Sequence, residues 1–288
     1  MKTSYFTAMF ILTASLALPA SSSAQKRVKD LKSHNMQDHA WMRLAQIVPS
    51  VTDRVILTVG TVEAHGACPI GTDNIVPIRM AELMWDRCNA LVAPAINHGV
   101  TSPDLSQFPG STTIRPEILE EYVYDVLKDL VRTGFRNILV LNGHGDNTEP
   151  IKRAMTRVHR ETAAHVMVVD WWAVGLNNVT EVYGTKAQQA GHGGMEEAAI
   201  VMTSNPELID KEMYNALGKE NISRVIGDTG VAMVPEATML LPEPGVGYLD
   251  FDLAKAKAYT QKKADFIADT FLEAVKRWEM MESWKKGK

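Results

Sequence analysis

The chain has 288 residues, of which 45% are hydrophobic and 22% are charged, and 30 basic against 34 acidic residues give a net charge of −4. This composition excludes fibrous and intrinsically disordered proteins, and it argues against nucleic acid or an anionic membrane surface as a partner. The length predicts one large α/β domain or two small ones.

The first 24 residues have the layout of an export signal. Lys2 supplies the positive start, an apolar run extends over residues 6–18, and small residues follow at 22–24. We expect cleavage after Ala24 and a periplasmic or secreted mature chain. An uncleaved membrane anchor is the alternative, although the apolar run is shorter than the roughly 20 residues that a spanning helix needs.

We expect a loose polar arm at residues 25–44, followed by what we interpret as one domain over residues 45–288. Apolar runs predict four strands, at 54–59, 90–95, 137–141 and 165–170. Apolar spacings of three and four predict helices at 74–88, around 119–130, at 150–164 and at 253–284. Such alternation predicts an α/β fold, a three-layer αβα sandwich with a mostly parallel central sheet. Cys68 and Cys88 allow one bridge, but we expect free thiols.

Candidate metal ligands follow two of the predicted strands, and ligands in open parallel sheets bind beyond the carboxyl ends of strands. Taken singly, each loop also suits an ordinary polar turn. Together the loops offer an oxygen and nitrogen set suited to Zn²⁺ or Mn²⁺, large enough to hold two ions about 3.5–4 Å apart. The candidates are Glu63, His65, Asp73, His144 and Asp146.

The chain resembles the creatininase family of metal-dependent amidohydrolases in a series of motifs that occur in the family's order. These are Gly-x-x-Glu-x-His-Gly from residue 60, Phe-Pro-Gly at 108–110, Asn-Gly-His-Gly-x-Asn from 142 and Gly-His-Gly-Gly-x-x-Glu from 191. The resemblance runs from about Ile47 to Asp210. It implies a homo-oligomer, often a hexamer in this family, that cleaves a carbon–nitrogen bond with a metal-activated water.

The same resemblance implies roles for individual residues. Glu63, Asp73 and His144 resemble the ligands of one ion, whereas His65 and Asp146, with Asp73 bridging, resemble those of the other. His192 matches the histidine that handles protons near the scissile bond. Glu197 matches a family glutamate that supports the ligands or, in place of Asp146, acts as a ligand itself.

Three further residues are candidates for substrate contact: Gly145 in the second metal loop, and His98 and Trp172 after predicted strands. Trp171 and Trp172 are adjacent, and we expect one of the two to pack in the core.

Two departures from the family pattern bear on the substrate. The family's Glu-Thr-Ser segment reads Glu-Ala-Ala here, and Gln188 and Gln189 stand where creatininases carry Trp and Asp. We therefore expect a cyclic amide, a formamide or a small peptide-like substrate rather than creatinine. A hydrolase of a non-amide bond and a non-catalytic metal- or ligand-binding protein on the same scaffold remain the alternatives.

Overall fold

The computed structural model describes residues 26–103, 105–184, 191–216 and 249–287. Within them, four strands form one parallel sheet in the order β2-β1-β3-β4. The two central strands pair along their whole length, with Arg54 opposite Asn137 and Val59 opposite Asn142. The strands are β1 (Arg54–Val59), β2 (Leu91–Val92), β3 (Asn137–Asn142) and β4 (His165–Asp170).

The helices begin and end at recognisable sequence signals. Pro116 occupies the first turn of α3, and Gly134, with φ 116°, ends it. The Asp252 side chain accepts hydrogen bonds from two backbone amides at the start of α8. The described helices are α1 (Trp41–Ile47), α2 (Thr72–Cys88), α3 (Pro116–Thr133), α4 (Thr148–Glu161), α5 (Asn177–Tyr183), α6 (Met195–Ser204), α7 (Lys211–Ala216) and α8 (Leu253–Lys286).

Both faces of the sheet are covered by helices. In β3, Ile138 and Val140 face the core formed with α3 and α4, whereas Leu139 and Leu141 face the core formed with α2, α6 and α8. All four side chains are fully buried. A strand that loses water on both sides must be apolar throughout, as this one is. The prediction of an α/β sandwich with a parallel sheet is confirmed.

Two segments differ from the sequence expectation. The run at 90–95 forms only a two-residue strand because the chain gains an extra residue around Pro94: Ala93 and Ile96, three residues apart, donate to Ile56 and Thr58 of β1, which are two apart. The described part of the polar arm lies along the β2 edge instead of extending loosely: His34 accepts a hydrogen bond from the Val92 amide and stacks on Trp85.

Three further expectations concern the cysteines, membrane-spanning helices and segments that the structure does not describe. Cys68 and Cys88 are both buried and unbridged. No described helix combines the length and apolar composition needed to cross a membrane. The export signal at residues 1–24 and the glutamines at 188 and 189 lie outside the described residues.

Candidate active site

A cleft opens at the carboxyl ends of the strands, where a parallel sheet gathers the loops that follow them. Its volume is about 470 Å³. Most of its described lining consists of glycines and of carboxylate and imidazole side chains that can bind a metal ion, together with Trp172 and Leu105. The lining residues are Glu63, Asp73, Ser102, Leu105, Gly143, His144, Gly145, Asp146, Trp172, Gly191, His192, Glu196 and Glu197.

The loop after β1 holds two of these side chains in a buried turn. Glu63 is fully buried and His65 is 1% exposed. The Glu63 backbone N–H donates to the Ile70 carbonyl, and the Cys68 N–H donates to the His65 carbonyl. The His65 ring nitrogen Nδ1 lies 3.0 Å from the Glu63 carbonyl oxygen. Because that carbonyl can only accept, Nδ1 carries the proton and Nε2 is left to face the cleft.

Asp73 reaches the same place from the first turn of α2. A Cβ atom at either Gly60 or Gly143 would overlap the Asp73 carbonyl. These two glycines end β1 and β3, so their lack of side chains lets the start of α2 lie between the two strand ends. The Asp73 carboxylate is 2% exposed and is thereby brought next to candidate ligands from both loops.

Asn142 fixes the loop after β3. Its Nδ2 donates at 2.8 Å to the His144 carbonyl and at 2.8 Å to Oδ1 of Asp170, and its Oδ1 accepts from the His144 amide at 3.2 Å. Thr148 donates to the same Asp170 oxygen at 3.0 Å. The network orients the His144 imidazole through its backbone. Sequence reasoning missed Asn142 and Asp170, although each is a polar residue at the last position of a strand.

Two groups of donors share Asp73. In the first, His144 Nδ1 lies 3.2 Å from Glu63 Oε1 and 3.0 Å from Asp73 Oδ2. In the second, His65 Nε2 lies 3.1 Å from Asp73 Oδ1 and 3.8 Å from Glu197 Oε2. Within each group the donor atoms all lie within 4.8 Å of one another, which suits a divalent cation.

The buried polar atoms of these groups fit a metal centre. Both carboxylate oxygens of Glu63, Oδ2 of Asp73 and Nε2 of His144 are buried without a hydrogen-bond partner among the described residues. An unpaired buried polar group costs about 1–3 kcal/mol, and more when it is charged. Metal coordination would satisfy the carboxylate oxygens, and their chemistry matches the oxygen and nitrogen donors that Zn²⁺ and Mn²⁺ accept.

Protons on the histidines balance the negative charge of the buried carboxylates. Burial raises the pKa of Glu63 to about 7 and that of Glu197 to about 8. Burial opposes charge on His65, yet the carboxylates of Asp73 and Glu197 raise its pKa to about 10. Although burial opposes it, His65 and His144 hold the pKa of Asp73 well below its usual range. Positive charge is therefore favoured where the two donor groups meet.

His192 lies beside these groups as a neutral imidazole. Its Nε2 lies 2.7 Å from the Ala64 carbonyl, which assigns the proton to Nε2, and its Nδ1 lies 3.7 Å from Glu63 Oε1. Its ring centroid is 4.1 Å from that of His65. Burial and the charge on His65 lower the pKa of His192 to about 3. His192 is therefore unprotonated at Nδ1, the ring nitrogen on the side of Glu63.

Glu197 and Asp146, the two candidates for the last ligand position, differ in burial. Glu197 is buried in the second donor group, and its Oε2 accepts a hydrogen bond from the Gly193 amide at 2.6 Å. Asp146 is 46% exposed, and its Oδ2 lies 3.7 Å from His144 Nε2. The structure thus brings Glu197 together with the other candidate ligands and leaves Asp146 partly exposed beside His144.

The three candidates for substrate contact do not all lie in the cleft. Gly145 and Trp172 line the cleft, whereas His98 is exposed, lies 3.2 Å from the Thr112 hydroxyl and does not belong to the described lining. Trp171 is buried in the core and meets the Trp172 ring edge-on. Glu196 also lines the cleft, and sequence reasoning missed it.

A family model described as creatininase, creatinine amidohydrolase, matches residues 37–275. The chain is 24% identical over 237 residues to the creatinine amidohydrolase of Pseudomonas putida, which covers 77% of this chain and 86% of that protein. It is 34% identical over 94 residues to the 3-dehydro-scyllo-inosose hydrolase of Thermotoga maritima, covering 32% and 30% of the two chains. It is 24% identical over 179 residues to the mycofactocin precursor peptide peptidase of Mycobacterium ulcerans, covering 59% and 65%.

Solved structures share the fold. A mutant creatininase of Zn-Zn type superposes with a TM-score of 0.70 at 22% identity, covering 85% of this chain and 99% of that one. A structure described as Creatininase Mn superposes with a TM-score of 0.68 at 22% identity, covering 84% and 99%. Because the family model matches most of this chain, the chain belongs to the creatininase family of metal-dependent amidohydrolases, enzymes that hydrolyse carbon–nitrogen bonds.

Proposed function

We propose that this protein is an exported amidohydrolase that uses two divalent metal ions, Zn²⁺ or Mn²⁺, to cleave an amide bond in a small molecule. The observation that carries the proposal is the position of Asp73. Its two carboxylate oxygens face two different groups of buried ligands, with His144 Nδ1 at 3.0 Å on one side and His65 Nε2 at 3.1 Å on the other. A carboxylate shared between two ligand groups can hold two ions about 3.5–4 Å apart, the spacing found in two-ion hydrolytic sites.

We assign Glu63, Asp73 and His144 to one ion and His65, Asp73 and Glu197 to the other. Glu197 takes the last position in place of Asp146 because it is buried within the second group. Asp146 is partly exposed, and its carboxylate faces His144 Nε2.

The bound ions would supply a water with a pKa lowered from about 15.7 toward about 7 and would polarise the amide carbonyl. His192 then handles the proton. Its Nδ1 accepts a proton from the attacking water and returns it to the departing nitrogen, while Nε2–H remains anchored on the Ala64 carbonyl. General acid–base catalysis of this kind contributes roughly 10²–10⁴-fold to the rate.

The substrate class follows from the cleft and from the relatives. A volume of about 470 Å³ suits a small molecule or the end of a peptide. Two relatives are described as a creatinine amidohydrolase and a peptide peptidase, and both names denote cleavage of an amide bond. The hydroxyls of the family's Glu-Thr-Ser segment are replaced by Ala198 and Ala199, which are buried in the core behind the cleft. We therefore favour an amide other than creatinine.

A second candidate function is hydrolysis of a non-amide bond. The Thermotoga maritima relative, described as a 3-dehydro-scyllo-inosose hydrolase, is the most similar of the three in the segment that it matches, at 34% identity. An inosose is a cyclic ketone without an amide.

The proposed compartment and assembly rest on the sequence. A positive residue, an apolar run and small residues at 22–24 are the layout of a cleavable signal. N-terminal sequencing of the exported protein is expected to begin at Gln25, and an N-terminus at Met1 would contradict cleavage. A homo-oligomer, as a hexamer, is proposed by resemblance to the family, and light scattering of the mature chain tests it.

The activity is tested with the purified mature chain. Cyclic amides, formamides, short peptides and an inosose are each incubated with the zinc- or manganese-loaded protein, with and without a chelator. Amide cleavage that the chelator abolishes and added metal restores supports the proposal. Turnover of the inosose alone would favour the second candidate. Tight ligand binding without any turnover would indicate the non-catalytic alternative.

A further inference from the structure

Glu196 is a fixed carboxylate in the cleft wall that the proposed metal site does not use. It lines the cleft, yet it belongs to neither group of donors that share Asp73. The hydroxyl of Tyr259, on α8, donates a hydrogen bond to Glu196 Oε2 at 3.1 Å. Tyr259 is itself fully buried. The position of this carboxylate is therefore set by the core and not by solvent.

A buried cation lies behind the carboxylate. Lys263, one turn after Tyr259, is 1% exposed, and its Nζ donates to the Val174 carbonyl at 2.6 Å. The same ammonium lies 5.7 Å from the ring centroid of Trp171 and 5.8 Å from that of Tyr259. A buried charge is costly without compensation, and Glu196 provides a nearby negative charge. Lys263 does not line the cleft, so it supports Glu196 from behind.

The cleft has an excess of negative groups. Its described lining contains five acidic residues and no lysine or arginine. Three of the five are the proposed ligand carboxylates, which face the ions. Glu196 and Asp146 are additional: Asp146 faces His144 Nε2 at 3.7 Å, whereas Glu196 has no lysine or arginine beside it in the described lining. Trp172 lines the same cleft, and the face of its aromatic ring attracts organic cations.

We propose that Glu196 is a specificity-determining residue that, with Trp172, receives a positively charged nitrogen group of the amide substrate, an ammonium or a guanidinium. This inference rests on the proposed function, because it assigns the charge of the substrate that the same cleft would hydrolyse.

Equilibrium binding to the zinc-loaded protein tests the inference without turnover. Calorimetry compares n-butylguanidinium with n-butylurea, which has the same shape without the charge. We expect the wild type to prefer the guanidinium by about tenfold, a difference of ~1.4 kcal/mol. Glu196→Gln is expected to reduce that preference to within about twofold, whereas Glu117→Gln, which changes an exposed residue of α3, keeps it.

Equal affinities in the wild type, or a preference that survives in Glu196→Gln, would overturn the inference. A variant with a lower Tm but an unchanged preference would show that Glu196 serves only as the counter-ion of Lys263. If Glu196→Gln does not fold, Trp172→Leu replaces it, with an expected loss of about threefold in the guanidinium preference. The chelator test of amide hydrolysis is independent, so failure here and failure of the proposed function give different results.

Discussion

At the scale of single residues, the site depends on one carboxylate, that of Asp73, which lies next to two histidines. Asp73 receives His65 on one oxygen and His144 on the other, at nearly equal distances of 3.1 and 3.0 Å. No other described residue belongs to both groups that we assign to metal ions. The properties of both ions should therefore respond to this side chain more than to any other ligand.

Metal content after single substitutions tests that assignment. Asp73→Asn should lose both ions, because an amide is a weaker ligand than a carboxylate at both positions, whereas Glu197→Gln should lose one. Elemental analysis of the purified variants gives the number of ions per subunit. If Asp146→Asn loses an ion while Glu197→Gln keeps both, the last ligand is Asp146 and our assignment of Glu197 is wrong.

His192 should be needed for turnover but not for metal. Replacement by Ala removes the proton-accepting Nδ1, so kcat should fall by roughly 10²–10⁴-fold. Metal per subunit should stay unchanged, with His159→Ala on the outer helix α4 as the control. Loss of an ion in His192→Ala would instead make this residue a ligand, since its Nδ1 also lies 3.7 Å from Glu63 Oε1.

At the scale of elements, two strand ends and a helix start meet because glycines remove the side chains between them. The Asp73 carbonyl lies where a Cβ atom of Gly60 or Gly143 would be. The helix that carries Asp73 could not approach β1 and β3 so closely with any other residue at these positions. The close approach links the stability of the fold directly to the geometry of the site.

Two alanine substitutions in the loop after β3 distinguish the effect of the contact with α2 from a general effect of changing the loop. Gly143→Ala should destabilise the protein by about 1–3 kcal/mol, because its Cβ overlaps the backbone of α2. Gly145→Ala is the control for stability, since a Cβ there meets nothing within 4 Å. Denaturant unfolding measures both. Equal free energies of unfolding for the two variants would show that α2 can move away at little cost.

The sequence was sufficient for the elements whose pattern is local. Apolar strands between amphipathic helices predicted the parallel sheet, and the rule that loops after parallel strands converge predicted the neighbourhood of His65 and His144. The choice between Asp146 and Glu197 could not be predicted, because it depends on how the third loop folds over the first. The role of Glu196 was also hidden, since its partner Tyr259 lies 63 residues away.

At the scale of the whole molecule, the ions should contribute to stability as well as to chemistry. Buried carboxylates from the loop after β1, from α2 and from α6 lie in two groups that share Asp73, so loss of the ions would leave like charges close together. A ligand that binds only the folded state at about 100 times its Kd stabilises that state by about 2.7 kcal/mol. Metal binding would therefore connect elements that lie far apart in the sequence, α2 and α6.

Removal of metal should accordingly lower the Tm. For a domain of this size, about 2.7 kcal/mol corresponds to a decrease of roughly 5–10 °C, which differential scanning calorimetry resolves. Dialysis against a chelator followed by zinc or manganese should restore the original value. An unchanged Tm after complete removal of metal would contradict a buried two-ion site.

Anomalous diffraction at the zinc edge, from crystals grown with zinc, tests the two-ion site most directly. We predict two peaks on opposite sides of the Asp73 carboxylate, each within about 2.0–2.2 Å of its ligand atoms. One peak should lie among Glu63, Asp73 and His144 and the other among His65, Asp73 and Glu197. No peak, or a single peak that does not contact Asp73, would contradict the account.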